Sequence, residues 1–246
     1  MSPRTHAADP DQRPVLVLVA MPEEAAPVLA LLEDVQDVPV PFSRGVAAAR
    51  GTSDGRPVLV VTTGIGMAAA SAAATWAILS ASPSLVVNGG SCGGLGADVE
   101  LGSLVIGASF TGSLADATAF GYAPGQVPGD PPRYAADPAL VAAALEAAQR
   151  TAGDTPVRSG LMLSGDAFVT ADIADPMRER FPGALTADME TTAIARTADV
   201  LGAPFVALRA VSDLCGPAAG QQFHLELDVV AEASARAVIE LIASRP

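Results

Sequence analysis

Short runs of β-branched and aliphatic residues alternate with alanine-rich stretches of helical length, and this alternation restricts the fold more than any other feature of the chain. The runs are PVLVLVA (14–20), RPVLVVTTG (56–64), PSLVVNGG (83–90), LGSLVIGA (101–108), SGLMLSG (159–165) and PFVALRAVSD (204–213). Continuous apolar runs suit strands that are covered on both faces. Helices are predicted at PEEAAPVLALLED (22–34), GMAAASAAATWAILSA (66–81), DPALVAAALEAAQR (137–150), ETTAIARTADVLG (190–202) and LDVVAEASARAVIELI (227–242). Asp137 is placed to cap its helix, with Pro138 in the first turn. The order implies an α/β three-layer sandwich with a mixed, mostly parallel central sheet flanked by helices. We expect a disordered leader over 1–13 and a single domain over 14–246.

In such folds ligands sit beyond the carboxyl ends of the strands, so polar residues just after a strand become candidates. Here these are Glu23 and Glu24, Ser91 in NGGSCGG, the SGDAF turn (164–168), and Ser212 with Asp213. To them ADMETTAIA (187–195) adds Asp188 and Glu190, two carboxylates at the head of an otherwise apolar helix. A buried carboxylate costs several kcal/mol unless something binds it.

Charge narrows the ligand. With 14 basic against 27 acidic residues the net charge is −13, which repels nucleic acid and anionic membranes. A neutral or cationic small molecule fits better. The longest apolar run, Pro14 to Met21, is too short to span a bilayer and lacks a signal-peptide cleavage pattern, which suggests a cytoplasmic protein. The two cysteines, Cys92 and Cys215, have no metal-ligand spacing and read as buried free thiols; no metal site or cofactor is expected. The connection 111–137 is rich in Gly and Pro and carries Phe120, Tyr122 and Tyr134. It reads as an ordered loop that covers a site or a subunit contact.

Taken singly, these residues have plain structural readings. Glu24 suits a solvated first-turn carboxylate, Glu190 an N3-type helix residue, Asp213 a cap or turn residue, Phe168 a core side chain and Arg209 a partner for a buried acid. GGSCGG lacks the spacing of dinucleotide and P-loop fingerprints.

Together, AMPEE, TTGIGMAAA, VVNGGSCGGL, DATAFGYAPGQVPG, SGDAFV, ADMETTAIA and RAVSD occur in one order. In that order the chain, from about Val15 to Ile242, resembles the 5'-methylthioadenosine/S-adenosylhomocysteine nucleosidases of the purine nucleoside phosphorylase superfamily. The resemblance implies a nucleoside phosphorylase-like fold and an N-glycosidase that hydrolyses the ribosyl-adenine bond of a 5'-modified adenosine. It implies that Glu24 activates the attacking water, with Ser91 and Arg209 helping to hold it, and that Met189 and Glu190 grip the ribose. Phe168 and Val169, with Cys92 and Gly93, would receive the purine. Asp213, beside Ser212, would protonate or hydrogen-bond its N7, while Met21 and Leu227 would face the 5' group. Relatives work as homodimers whose neighbour contributes to the 5' pocket.

The chemistry asks for the same residue types. Breaking the C1'–N9 bond leaves a sugar cation and a purine anion, so the base needs a proton donor and the sugar needs negative charge and a water. Two carboxyl groups can divide these tasks if their environments separate their pKa values. Departures from the family are also visible. Cys92 stands where alanine is usual, Asp188 replaces a glutamate, Leu227 takes an aromatic's place, and the CGPAAGQQ segment before it is long. Where phosphorylases hold phosphate with arginines, the matching places carry Glu24 and Asn88, which favours water as the acceptor. A futalosine-type hydrolase, a phosphorylase and a non-catalytic nucleoside-binding protein are the rival readings.

Overall fold

The computed structural model describes residues 13–244, so the leader read over 1–13 lies outside the described residues except for Arg13. The first strand, β1 (Val15–Val19), is buried at all five positions, between β4 (Arg56–Thr62) and β5 (Leu85–Asn88), both parallel to it. Its alternate residues feed two cores. Leu16 and Leu18 meet the alanines of α2 (Met67–Ala81) and the Ala193–Ala198 face of α5 (Thr191–Leu201). Val15, Val17 and Val19 meet α1 (Pro22–Ala30), α3 (Pro138–Thr151) and α6 (Ala219–Ala243). Two helical layers therefore enclose the sheet, as the alternation requires. Each fully buried leucine removes enough apolar surface from water to contribute roughly 1.5–3 kcal/mol.

The sheet has 11 strands in the order β2-β3-β4-β1-β5-β11-β6-β10-β9-β7-β8. Here β2 is Glu33–Asp37, β3 Ala47–Ser53, β6 Ser91–Gly94, β7 Leu104–Gly112, β8 Tyr134–Ala135, β9 Val157–Ser164, β10 Ala184–Asp188 and β11 Phe205–Asp213. The central pairings from β4 to β6 are parallel, and antiparallel strands complete both edges. Strand β11 also pairs with β7, which closes β11, β6, β10, β9 and β7 into a ring. In this ring Asp213 stands beside Gly93, Ala187 opposite Gly93, and Asp188 beside Ser164. Closure thus gathers residues from four distant segments.

Several elements differ from the sequence reading. Strand β2 is exposed along its whole length, so no apolar alternation marked it. SCGG, placed just after a predicted strand, is itself strand β6, and ALTAD is β10. Helix α4 (Ala171–Arg180) carries Pro176 and few apolar residues, yet Ala174 and Met177 pack with Leu161, Leu163 and Phe181 in a third core. Helix α1 stops at Ala30, and α6 starts at Ala219, two turns before the predicted start. The 111–137 connection is ordered by a 3-10 turn at Thr118–Phe120, by β8, and by Gln126 Nε2 donating to the Asp130 carbonyl (2.9 Å).

Candidate active site

A cavity of about 200 Å³ opens at the carboxyl ends of β1, β6, β10 and β11. Every predicted site residue lines it except Arg209 and Leu227. In particular, Glu24 and Asp213, 189 positions apart in sequence as their numbers show, face one space.

Glu24 lies in the first turn of α1, where the resemblance and the plain helix reading coincide, yet it is buried rather than solvated. Its Oε2 accepts from the backbone N–H groups of Ala20 (2.8 Å) and Met21 (3.2 Å). Its Oε1 accepts from the N–H (2.7 Å) and the hydroxyl (2.8 Å) of Ser91. The α1 terminus and Pro22 thus aim this carboxylate at the cavity, and the helix dipole favours an anion there. Gly90 makes room for it: at φ +108° a Cβ would fall 2.5 Å from the carboxyl carbon. The Ser234 hydroxyl, accepting from Gly90 N (2.9 Å), fixes that turn.

Glu190 is the N-cap residue of α5, but its side chain does not cap the helix. Its Oε1 accepts from Gly66 N (3.0 Å) at the start of α2, and its Oε2 from Arg209 Nη2 (2.8 Å). Asp188 does the capping, since Oδ1 accepts from the N–H groups of Glu190 (3.0 Å) and Thr191 (2.9 Å) and from the Ser164 hydroxyl (2.7 Å). The residue for which sequence offered no role is therefore the cap that orients Glu190. Burial pushes the Glu190 carboxyl up to about 7, although Arg209 and Gly66 N–H pull it down. Asp188 and Glu24 push in the same direction as burial.

Arg209 does not itself line the cavity. It is 1% exposed and lies behind the cavity wall, donating to Gly89 O (2.8 Å), to Glu190 and, through Nε, to Asp188 Oδ2 (3.3 Å). Desolvation alone would ease its proton off, but Asp188 and then Glu190 hold it well above its ordinary value. From the fully buried strand β11 it steadies the Glu190 carboxylate, which does line the cavity.

At the other end of the cavity stands Asp213, the last residue of β11. Its Oδ1 accepts from Cys215 N (3.0 Å), and Oδ2 lies 3.1 Å from the Ser212 hydroxyl. Burial raises its pKa, opposed by the Cys215 N–H, the Ser212 hydroxyl and the Cys215 thiol. Ser212 Oγ is also 3.2 Å from Cys92 O. A hydroxyl has one hydrogen, so it turns to Oδ2 when Asp213 is ionised and to Cys92 O when Asp213 carries its own proton.

The walls are apolar. Phe168, 43% exposed, stands at the mouth, edge-on to Phe223 of α6 with ring centroids 5.8 Å apart, and so it is not a core side chain. Val169 is buried beside it, and Met21 and Ile65 also line the space. Leu227 does not line it; Phe223, one turn earlier on α6, does. An aromatic side chain of α6 therefore does face the space, though not at position 227. Phe223, Ile65 and Cys215 escaped the sequence reading, and only FHLELD held a signal, the aromatic itself. No residue of 111–137 lines the cavity, and Phe120 is 83% exposed, so within one chain this loop does not cover the site.

Among the described residues no Lys, Arg or His lines the cavity, and no group of three or more His, Cys, Asp or Glu could hold a metal ion. Asn88 is consumed structurally, donating to Leu18 O (2.9 Å) and accepting from the Thr191 hydroxyl (2.7 Å). No described helix is long and apolar enough to cross a membrane.

The phosphorylase superfamily model matches residues 14–243. The 5'-methylthioadenosine/S-adenosylhomocysteine nucleosidase of Chromohalobacter salexigens is 36% identical over 231 residues, covering 94% of this chain and 97% of that protein. This chain belongs to the 5'-methylthioadenosine/S-adenosylhomocysteine nucleosidase family. The nucleosidase of Neisseria meningitidis, solved with methylthio-immucillin-A, superposes with a TM-score of 0.90 at 38% identity, covering 95% of this chain and 100% of that one. The nucleosidase of Colwellia psychrerythraea, solved with adenine, gives 0.89 at 30% identity, covering 94% and 95%. The nucleosidase fold is therefore shared over nearly the whole length.

Proposed function

We propose that this protein is an N-ribohydrolase that cleaves the ribosyl-adenine bond of 5'-methylthioadenosine, S-adenosylhomocysteine or a closely related 5'-modified adenosine. The observation that carries the reading is that Glu24 and Asp213 line one cavity in opposite settings. Glu24, with all its lone pairs accepting, can act only as an acceptor; Asp213, desolvated, favours its protonated form. In the reaction a water attacks C1' while Glu24 accepts its proton. The C1'–N9 electrons pass to the purine, and the Asp213 proton passes to N7, so that neutral adenine leaves. Of Glu24's four donors only the Ser91 hydroxyl can turn away without a backbone shift, and its rotation opens a place for the water. Glu190 accepts from the ribose hydroxyls, and its negative charge, with that of Glu24, favours the developing sugar cation.

The same wall argues against phosphorolysis. A phosphate dianion entering here would meet carboxyl groups and, among the described residues, no cation. The lack of a lining cation also disfavours 5' groups that carry a net negative charge.

The solved relatives include complexes with adenine and with a methylthio analogue, which suits this substrate class. The apolar side chains of Ile65, Leu114, Phe120 and Val127 stand exposed, and we assign them to a homodimer contact in a cytoplasmic enzyme. Incubation with methylthioadenosine in phosphate-free buffer should release adenine and a thiosugar, followed by chromatography. A strict phosphate requirement would overturn the hydrolase reading, and release only from a nucleoside with another base would overturn the substrate class.

A further inference from the structure

Cys215 lies two residues beyond the proposed acid, lines the same cavity and is 1% exposed. It adopts φ +53°, a left-handed conformation that costs a non-glycine residue roughly 1–2 kcal/mol. That turn points its N–H back at Asp213 Oδ1 (3.0 Å). The thiol and the same oxygen both rest on Gly93, where a Cβ would fall 2.5 Å from Sγ and 3.1 Å from Oδ1. Glycine at 93 is therefore what lets the thiol in.

Taking the proposed hydrolysis as its basis, we infer that Cys215 is a positioning residue for the general acid. Its N–H occupies Asp213 Oδ1, its thiol stands beside that oxygen across Gly93 and acts on the carboxyl as a second donor, and the carboxylic proton is left to Oδ2, the oxygen that would meet the purine. Burial, then the Asp213 charge, pushes the thiol up to about 12, so it remains a donor throughout the working pH range. The neighbouring groups leave it in that role. Cys92 of β6 is likewise held protonated by burial, Arg178 of α4 is spent on Asp175, Leu95 O and Leu214 O, and Glu24 and Glu190 stand among the other lining residues.

The sign of the effect follows from the donor. A thiol donor beside the carboxyl favours its ionised form, so its removal raises the Asp213 pKa. A thiol is a weak donor, which sets the shift at about half a pH unit. The test is titration of the Asp213 carboxyl by 13C NMR in the full chain, assigned by the signal lost in Asp213→Asn. Cys215→Ala should move the midpoint up by about half a unit, and Cys215→Ser, which restores a donor, should bring it back. An unmoved midpoint in Cys215→Ala, or equal shifts in the alanine and serine variants, would overturn the inference. Should the alanine variant not fold, Cys215→Gly, unstrained at this φ, gives the same reading. The titration needs no turnover. A wild-type chain that releases no adenine sinks the hydrolase reading, while the midpoints still decide the role of Cys215.

Discussion

Glu24, in the first turn of α1, and Asp213, at the end of β11, are carboxyl groups of one cavity, and their surroundings are opposite. Glu24 receives four hydrogen bonds, three from backbone N–H groups that cannot turn away. Asp213 receives one from backbone and shares a hydroxyl whose hydrogen has another acceptor to satisfy. Both are almost fully buried, so depth does not distinguish them. Donor count does, and in the proposed reaction it divides the work of base and acid between two side chains of nearly the same chemistry.

Exchanging these settings should have the largest consequence. Asp213→Asn and Glu24→Gln should each lower kcat by about 10²–10⁴-fold. Binding of a methylthioadenosine analogue, followed by calorimetry, should persist in Asp213→Asn. A rate within a few fold of wild type would dissolve the contrast.

Next comes the support behind the sugar side. Arg209→Leu leaves Asp188 and Glu190 buried without their cation and should cost about 3–5 kcal/mol in urea unfolding. A loss under 1 kcal/mol would mean that the backbone donors alone hold the two carboxylates. On the purine side, Gly93→Ala drives a methyl group into Cys215 Sγ and should cost about 1–3 kcal/mol, with a larger effect on turnover than on ribose affinity.

The smallest effect concerns Glu190. Burial lifts its pKa to about 7, above its unfolded value, so the folded state holds the proton more firmly. The stability this contributes is complete below the unfolded pKa and is lost as pH rises through 7. Sugar hydroxyls need the ionised form, so ligand binding near pH 7 should release a fraction of a proton. Calorimetry in two buffers of different ionisation heat reads that proton directly. Proton uptake would place the neutral acid, not the anion, against the ribose.

Much of this contrast was legible before any coordinates. The β-branched runs placed the central strands because burial on both faces leaves an uninterrupted apolar signature. Motif order placed Glu24, Glu190 and Asp213 at one site. What was hidden depends on contacts distant in sequence. The exposed β2 and the proline-bearing α4 owe their form to neighbours rather than to their own pattern. Arg209 could be read as a water ligand or as a partner for a buried acid, and only the closed ring of strands brings Asp188 and Glu190 to it. Asp188 was obscure because capping is a matter of one torsion and two N–H directions. Phe223 was hidden because CGPAAGQQ has no periodicity to say which face of α6 meets the cavity.

The division of roles is tested most directly by neutron diffraction from deuterium-exchanged crystals at neutral pH. The expected map has a deuteron on Asp213 Oδ2, none on Glu24, and the Ser212 hydroxyl turned to Cys92 O. A deuteron on Glu24 with Asp213 bare would contradict the account at its centre.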